Sequence, residues 1–213
     1  GRVQPVTRLS SQLQDKLSGV HLPDYDRTRI TNGILHIGAG NFHRAHQAVY
    51  TDDILKHDPR WGILGASLRS PATRNRLKAQ DFLYSVCECG SGQRRYRIIG
   101  SVFGLLHVLR ERAELMAAFS MSEIKVITLT VTEKGYCQTV SGELDEGHPD
   151  VLHDFSNEKA RRSMPGVLVD GLRARRAAGA GPITIVSCDN LSGNGSLLKQ
   201  VVLDFARSVD PSL

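Results

Sequence analysis

A chain of 213 residues with 40% hydrophobic and 23% charged side chains can bury one substantial core and lies near the upper size of a single domain, which argues against a two-domain layout. No apolar run approaches the roughly 20 residues of a membrane-spanning helix, so no such span is expected. The balance of 27 Lys and Arg against 22 Asp and Glu gives a formal charge of +5. The basic residues are scattered and only 6% of residues are aromatic, which reads as a solvated surface suited to a phosphate-bearing cofactor or an acidic sugar rather than to nucleic acid.

The four cysteines, Cys87, Cys89, Cys137 and Cys188, form no CxxC pair and no disulfide-like framework, which points to a reducing compartment, by default the cytoplasm. The chain opens Gly1-Arg2-Val3 without an initiator Met or an apolar signal region, so its start is expected to be trimmed. Residues 1–29 are polar, with scattered leucines and a charged end from Asp24 to Arg29. They read as an amino-terminal leader packed outside a domain that runs over 30–213.

Ile34-Leu35-His36-Ile37 is a short apolar run stopping at Gly38, as a buried strand does, and residues 42–56 follow with helical spacing at Ala45, Val49, Ile54 and Leu55. Asp58-Pro59 ends that helix, and residues 61–68 supply a second strand, which completes a β-α-β unit with parallel pairing. Residues 82–89 and 96–102, joined by Gly90-Ser91-Gly92, predict a hairpin insertion at the sheet edge. A helix over 109–119 and a buried strand over 124–131 come next, followed by an acidic loop from Glu143 to Asp154. Pro165 opens a helix to Ala178, closed by Gly179 and Gly181, before a strand over 183–187 and a helix over 196–208. This alternation defines an α/β class with a doubly wound, mostly parallel, Rossmann-type sheet. Ligands of such sheets bind at the carboxyl ends of the strands, which directs attention to the loops after Ile37, Leu68, Val131 and Ser187.

In the first loop, Gly38-Ala39-Gly40-Asn41-Phe42-His43-Arg44, one glycine permits the tight turn and the next lets backbone N–H groups approach a pyrophosphate at a helix amino terminus. The third glycine of the dinucleotide fingerprint is replaced by His43, so a turn that merely connects strand to helix, or that serves another nucleotide-like ligand, stays open. The second loop carries Arg69 where an acidic ribose partner would stand, which leans toward a 2′-phosphate; a solvated loop Arg is the alternative. His36 reads as a core residue and His43 as facing the ligand. His43 and His46 are three apart, but nothing nearby completes a tetrahedral metal set, and none is expected. No Tyr is followed by Lys four residues on, which excludes the short-chain dehydrogenase Tyr-x-x-x-Lys pair. The third loop, Thr130-Val131-Thr132-Glu133-Lys134-Gly135-Tyr136-Cys137, brings two hydroxyls, a carboxylate and an ammonium into one turn, either for cofactor or substrate contacts or as a capped, hydrogen-bonded turn. The fourth, Ser187 to Gly195, offers Asn side chains able to donate to a developing alkoxide, or turn and capping residues at Asp189 and Asn194.

The runs IGAGNFHRAHQ from Ile37, SLRSP from Ser67, LTVTEKGYC from Leu129 and SCDNLSGNG from Ser187 resemble, in order and spacing, the mannitol dehydrogenase family of polyol-specific long-chain dehydrogenases and reductases. That family includes mannitol 2-dehydrogenase, fructuronate reductase (D-mannonate oxidoreductase) and tagaturonate reductase. The resemblance implies metal-independent hydride transfer between NAD(P) and a secondary alcohol of an open-chain polyol or sugar acid, such as mannitol or mannonate. It assigns Gly38, Gly40, Asn41, Phe42 and Arg44 to the cofactor turn, Thr132 and Glu133 to the nicotinamide side, and Asn190 to stabilising the oxyanion. Arg69 matches NAD-using members too, so NAD is preferred, with NADP as the alternative. The catalytic Lys, with neighbouring Asn and His, is implied to belong to a helical carboxyl-terminal domain that this chain, ending at Asp210-Pro211-Ser212-Leu213, is expected to lack. Without that half the chain is expected to bind cofactor but not to turn over. A methyltransferase using the glycine turn for S-adenosylmethionine is the remaining alternative.

Overall fold

The computed structural model describes residues 8–12, 17–90 and 92–212. Ser91 of the expected hairpin turn, residues 1–7 and 13–16 of the expected leader, and Leu213 lie outside the described residues. Five parallel strands form the main sheet: β1 (Asn32–Ile37), β2 (Gly62–Ser67), β5 (Val102–His107), β6 (Val126–Leu129) and β7 (Thr184–Ser187), in the order β5-β2-β1-β6-β7. Strands β3 (Tyr84–Gly90) and β4 (Gln93–Ile99) form a separate antiparallel pair.

The side-chain alternation of a strand splits the interior into two cores. Leu35 and Ile37 of β1, with Ile127 and Leu129 of β6, face one core. It is closed by α4 (Arg112–Phe119), α6 (Met164–Ala177) and α7 (Asn194–Val209) through Leu115, Phe119, Leu168 and Phe205. Ile34, Ile63, Leu105 and Ala48 form the other, under α2 (Gln47–Leu55) and α3 (Ala72–Lys78). Helices on both faces leave the strand ends as the open surface, which is the doubly wound arrangement. Among the described residues no helix is long and apolar enough to cross a membrane.

Several elements differ from the expectation. The helix over 42–56 is two helices, α1 (Asn41–Ala45) and α2, broken at His46, whose φ of −125° and ψ of −92° are not helical. The hairpin ends at Ile99 and is its own small sheet rather than an edge of the main one. Val102 instead opens β5, one edge of the main sheet; the expected hairpin takes in only its first residue, across Gly100-Ser101, and residues 103–107 were expected in no element. Helix α3 was not expected: it buries only Leu77, so no apolar period marks it. The acidic loop contains α5 (Pro149–Ser156), started by Pro149 and by His148, whose ring accepts the Asp150 N–H at 3.1 Å. The described part of residues 17–29 is pinned to the domain. Tyr25 donates to Asp52, and the Arg27 guanidinium donates to the carbonyls of Gly100 and Val102 at 3.0 and 3.1 Å.

Candidate functional site

The carboxyl ends of β1, β2 and β6 open onto a cleft of about 630 Å³. Gly38 follows β1 at φ +94°, in the left-handed region that glycine enters without strain. A Cβ there would sit 2.1 Å from the Thr130 carbonyl oxygen, so the turn also requires glycine for close approach to β6. The Gly38 carbonyl accepts the Gly40 N–H at 2.6 Å and the Thr130 hydroxyl at 2.8 Å. Gly40 is the N-cap of α1 and supplies no side-chain cap. The N–H groups of Asn41, Phe42 and His43 therefore start a helix with no acceptor among the described residues, the arrangement an anionic group completes. A Cβ on Gly40 would meet only the Gly38 oxygen, at 3.8 Å, so the space beside it is open. These features fit a dinucleotide diphosphate.

Of the residues expected at the site, Gly38, Gly40, Arg69 and Thr132 line the cleft, and Asn41, Phe42, Arg44, Glu133 and Asn190 do not. Arg44 folds back, donating to the Ala39 carbonyl at 3.1 Å and to the Asn41 side chain, while its own carbonyl accepts the Tyr84 hydroxyl at 2.6 Å. It braces the turn. Phe42 is 60% exposed and stacks on His46. Glu133 is exposed at the start of a 3-10 turn, and Asn190, past β7, is exposed with no hydrogen bond from its side chain among the described residues.

His43 is not a ligand-facing residue. It is 1% exposed, packed ring to ring on His36 with centroids 3.5 Å apart, because the first turn of α1 points this side chain inward onto β1. Burial pushes its pKa down to about 4 and that of His36 well below the usual range.

The cleft also contains residues that sequence reasoning missed. Asp150 of α5 forms ion pairs with Arg69 at 3.3 Å and with Arg162 at 2.8 Å. Ser163 and Met164 complete that wall, beside Lys134 of the expected third loop. Asp189, read as a turn residue or ligand contact, is a clamp. Its carboxylate accepts the N–H groups of Val131 and Thr132 at 3.1 and 2.9 Å and the Tyr136 hydroxyl at 2.8 Å. Burial raises the pKa of Tyr136, which keeps that phenol a donor.

A parallel doubly wound sheet with a glycine turn between its first strand and first helix, and a cleft at the strand ends, defines a Rossmann-type domain. Residues 32–212 match the mannitol dehydrogenase Rossmann domain, and the chain belongs to that family. It is 44% identical over 197 residues to a mannitol 2-dehydrogenase of Cereibacter sphaeroides, covering 90% of this chain and 41% of that protein. With the D-mannonate oxidoreductase of Escherichia coli (strain K12) the identity is 40% over 197 residues, covering 90% and 40%. The fold superposes on the Pseudomonas fluorescens mannitol 2-dehydrogenase ternary complex with NAD and D-mannitol with a TM-score of 0.90 and 35% identity, over 97% of this chain and 43% of that one. The chain thus spans about two-fifths of the length of these relatives.

Proposed function

We propose that this chain is the NAD-binding domain of an oxidoreductase that interconverts a secondary alcohol and a ketone on a polyol or sugar acid of the mannitol or mannonate type. The observation that carries the reading is the Gly38–Gly40 turn with its open amino-terminal N–H groups. Gly38, Gly40 and the amides of Asn41 and Phe42 hold the diphosphate, and Arg44 braces their turn. Arg69 faces the adenosine ribose. Its pairing with Asp150 sets a carboxylate against the guanidinium that a 2′-phosphate would need, which supports NAD over NADP. Thr132 and Glu133 border the nicotinamide, whose bound ring supplies or accepts the hydride.

Asn190 is the residue proposed to touch the reacting oxygen. Its uncommitted side-chain amide can donate to that oxygen as negative charge develops. None of these assignments calls for a metal. The exposed free thiols of Cys87, Cys89 and Cys188 support a reducing, cytoplasmic location, and the scattered basic residues support a small-molecule partner rather than nucleic acid or a membrane.

Taken by itself the chain is proposed to bind cofactor without turnover, because the relatives named for activity are more than twice as long. Titration with NADH, followed by cofactor fluorescence, tests the reading: saturable binding is expected, and its absence would overturn the function. Turnover of mannitol or mannonate by this chain alone would overturn only the view that it is a binding module.

A further inference from the structure

Between β1, β6 and α2 lies a buried run of polar groups that ends on the cofactor turn. His36 Nδ1 is 2.7 Å from Thr128 Oγ1, and His36 Nε2 is 2.8 Å from Thr130 Oγ1. The Thr130 hydroxyl contacts the Gly38 carbonyl oxygen at 2.8 Å, and Thr128 Oγ1 is 3.1 Å from the Gln47 side-chain amide. His36 and Thr128 are 0% and 4% exposed.

The Gly38 carbonyl sets the direction of the hydrogen bonds on the Nε2 side of the ring, and the charge of the ring sets those on the Nδ1 side. A carbonyl oxygen only accepts, so at 2.8 Å the hydrogen of Thr130 lies on Gly38. Thr130 Oγ1 then has only lone pairs to offer His36, and Nε2 must be the protonated nitrogen. With Gln47 Oε1 turned to Thr128, the Thr128 hydrogen is committed to Gln47, and Nδ1 must carry a proton as well. That would put an imidazolium against His43, which Arg44 and His46 flank in turn, with no carboxylate beside it among the described residues. Turning the amide so that its NH2 faces Thr128 satisfies the whole run with a neutral ring; which amide atom is oxygen is set by such networks. The depressed pKa of His36 agrees.

We propose that His36 is a positioning residue for the glycine turn: its neutral, Nε2-protonated ring orients the Thr130 hydroxyl onto the Gly38 carbonyl and so holds the turn in the shape that receives the diphosphate. The role in binding rests on the NAD reading above; the tautomer does not. With the Gly40 N–H, Thr130 gives the Gly38 carbonyl two donors, which leaves it no freedom to rotate toward the cleft and against an anion. Thr130 itself holds β6 to β1, its N–H donating to the Ile37 carbonyl at 3.0 Å.

Long-range 15N correlation of the imidazoles in the labelled chain, with His36 identified by its loss in His36→Phe, reads the tautomer. Nε2–H with a bare Nδ1 from pH 8 to pH 5 is expected; Nδ1–H, or protonation of both nitrogens, overturns the proposal. NADH titration then compares Thr130→Val with Thr130→Ser. The valine, which strips the hydroxyl and keeps the shape, is expected to weaken binding about tenfold, and the serine to restore it. Thr130→Val binding as tightly as the wild type overturns the positioning role. Should that variant fail to fold, His36→Phe replaces it, with the same expected loss and the same overturning result. A wild-type chain that does not bind NADH removes the NAD reading, and with it the role in binding, while the imidazole spectrum still decides the hydrogen-bond order.

Discussion

The Asp189 carboxylate accepts the Thr132 N–H at 2.9 Å while Thr132 holds φ 65° and ψ 165°, a conformation populated almost only by glycine and costing about 1–3 kcal/mol in other residues. The second carboxylate oxygen takes the Val131 N–H and the Tyr136 hydroxyl, so one side chain from the end of β7 imposes the strained shape of the loop after β6. Replacing Asp189 with Ala removes the acceptor of the Val131 and Thr132 N–H groups, while the Tyr136 hydroxyl keeps Ser187 Oγ, and it releases the strain in the same step. A net destabilisation of about 2–3 kcal/mol is expected in urea unfolding. NADH binding should weaken as well, because Thr132 leaves the cleft wall. Unchanged stability in Asp189→Ala would show that the clamp carries no load.

The two glycines of the turn should respond differently to the same substitution. Gly38→Ala puts a Cβ 2.1 Å from the Thr130 carbonyl at φ +94°, so it is expected to lower stability by several kcal/mol, about 2 or more, and to abolish NADH binding. Gly40→Ala meets nothing closer than 3.8 Å at φ −81°. It should keep the melting temperature of the wild type while weakening NADH, since the added methyl occupies the space beside the N–H groups. Equal effects of the two changes on stability would contradict the geometry.

How far the site was legible in the sequence follows from the range of the forces that make it. The glycine turn was readable because its requirements are local: a positive φ and a missing Cβ immediately after an apolar strand. The five parallel strands were readable only in part. Val102–His107 is as apolar as its neighbours, but two residues separate it from the hairpin, and no periodicity marks where one ends and the other begins. Helix α3 hides its single buried Leu77 among polar residues. His43 was misplaced because chain position next to a ligand turn says nothing about which way a side chain points. The partnership of Asp150 with Arg69, and of Asp189 with Thr132, joins segments distant in the chain, and no local pattern encodes it.

Asp150 is expected to separate the two cofactors. Its carboxylate lies 3.3 Å from Arg69 and 2.8 Å from Arg162, where it neutralises guanidinium groups that a 2′-phosphate could otherwise use. Asp150→Asn removes the competing charge and frees both. The ratio of NADPH to NADH affinity is expected to rise on the order of tenfold, read by parallel titrations at constant ionic strength, and to fall back at high salt because Arg69 is largely exposed. No change in the ratio would place the adenosine ribose elsewhere.

Asn190 can be tested only where chemistry occurs. In a family-length protein carrying this domain, Asn190→Ala is expected to cut kcat/KM on the order of 100-fold and to leave NADH affinity within about twofold, since an oxyanion donor acts on the transition state and not on the cofactor. An unaltered kcat/KM would remove Asn190 from the reaction.

The stacked pair His36 and His43 makes the domain acid-sensitive. Both rings are buried, and burial, the largest cause, holds His43 at about 4 and His36 well below its ordinary value. A histidine released by unfolding titrates near 6.5. Between those limits the unfolded chain binds more protons than the folded one, so unfolding free energy rises with pH across the window. The stabilisation is complete above about pH 6.5 and is lost as pH falls toward 4; His43 alone accounts for about 3 kcal/mol of it. Urea unfolding at pH 7.5, 6 and 5 should reveal that slope. His43→Phe, which keeps a flat ring against His36 and cannot charge, should flatten the slope by the share His43 holds. A wild-type chain equally stable at pH 7.5 and pH 5 would mean that the pair is not buried neutral.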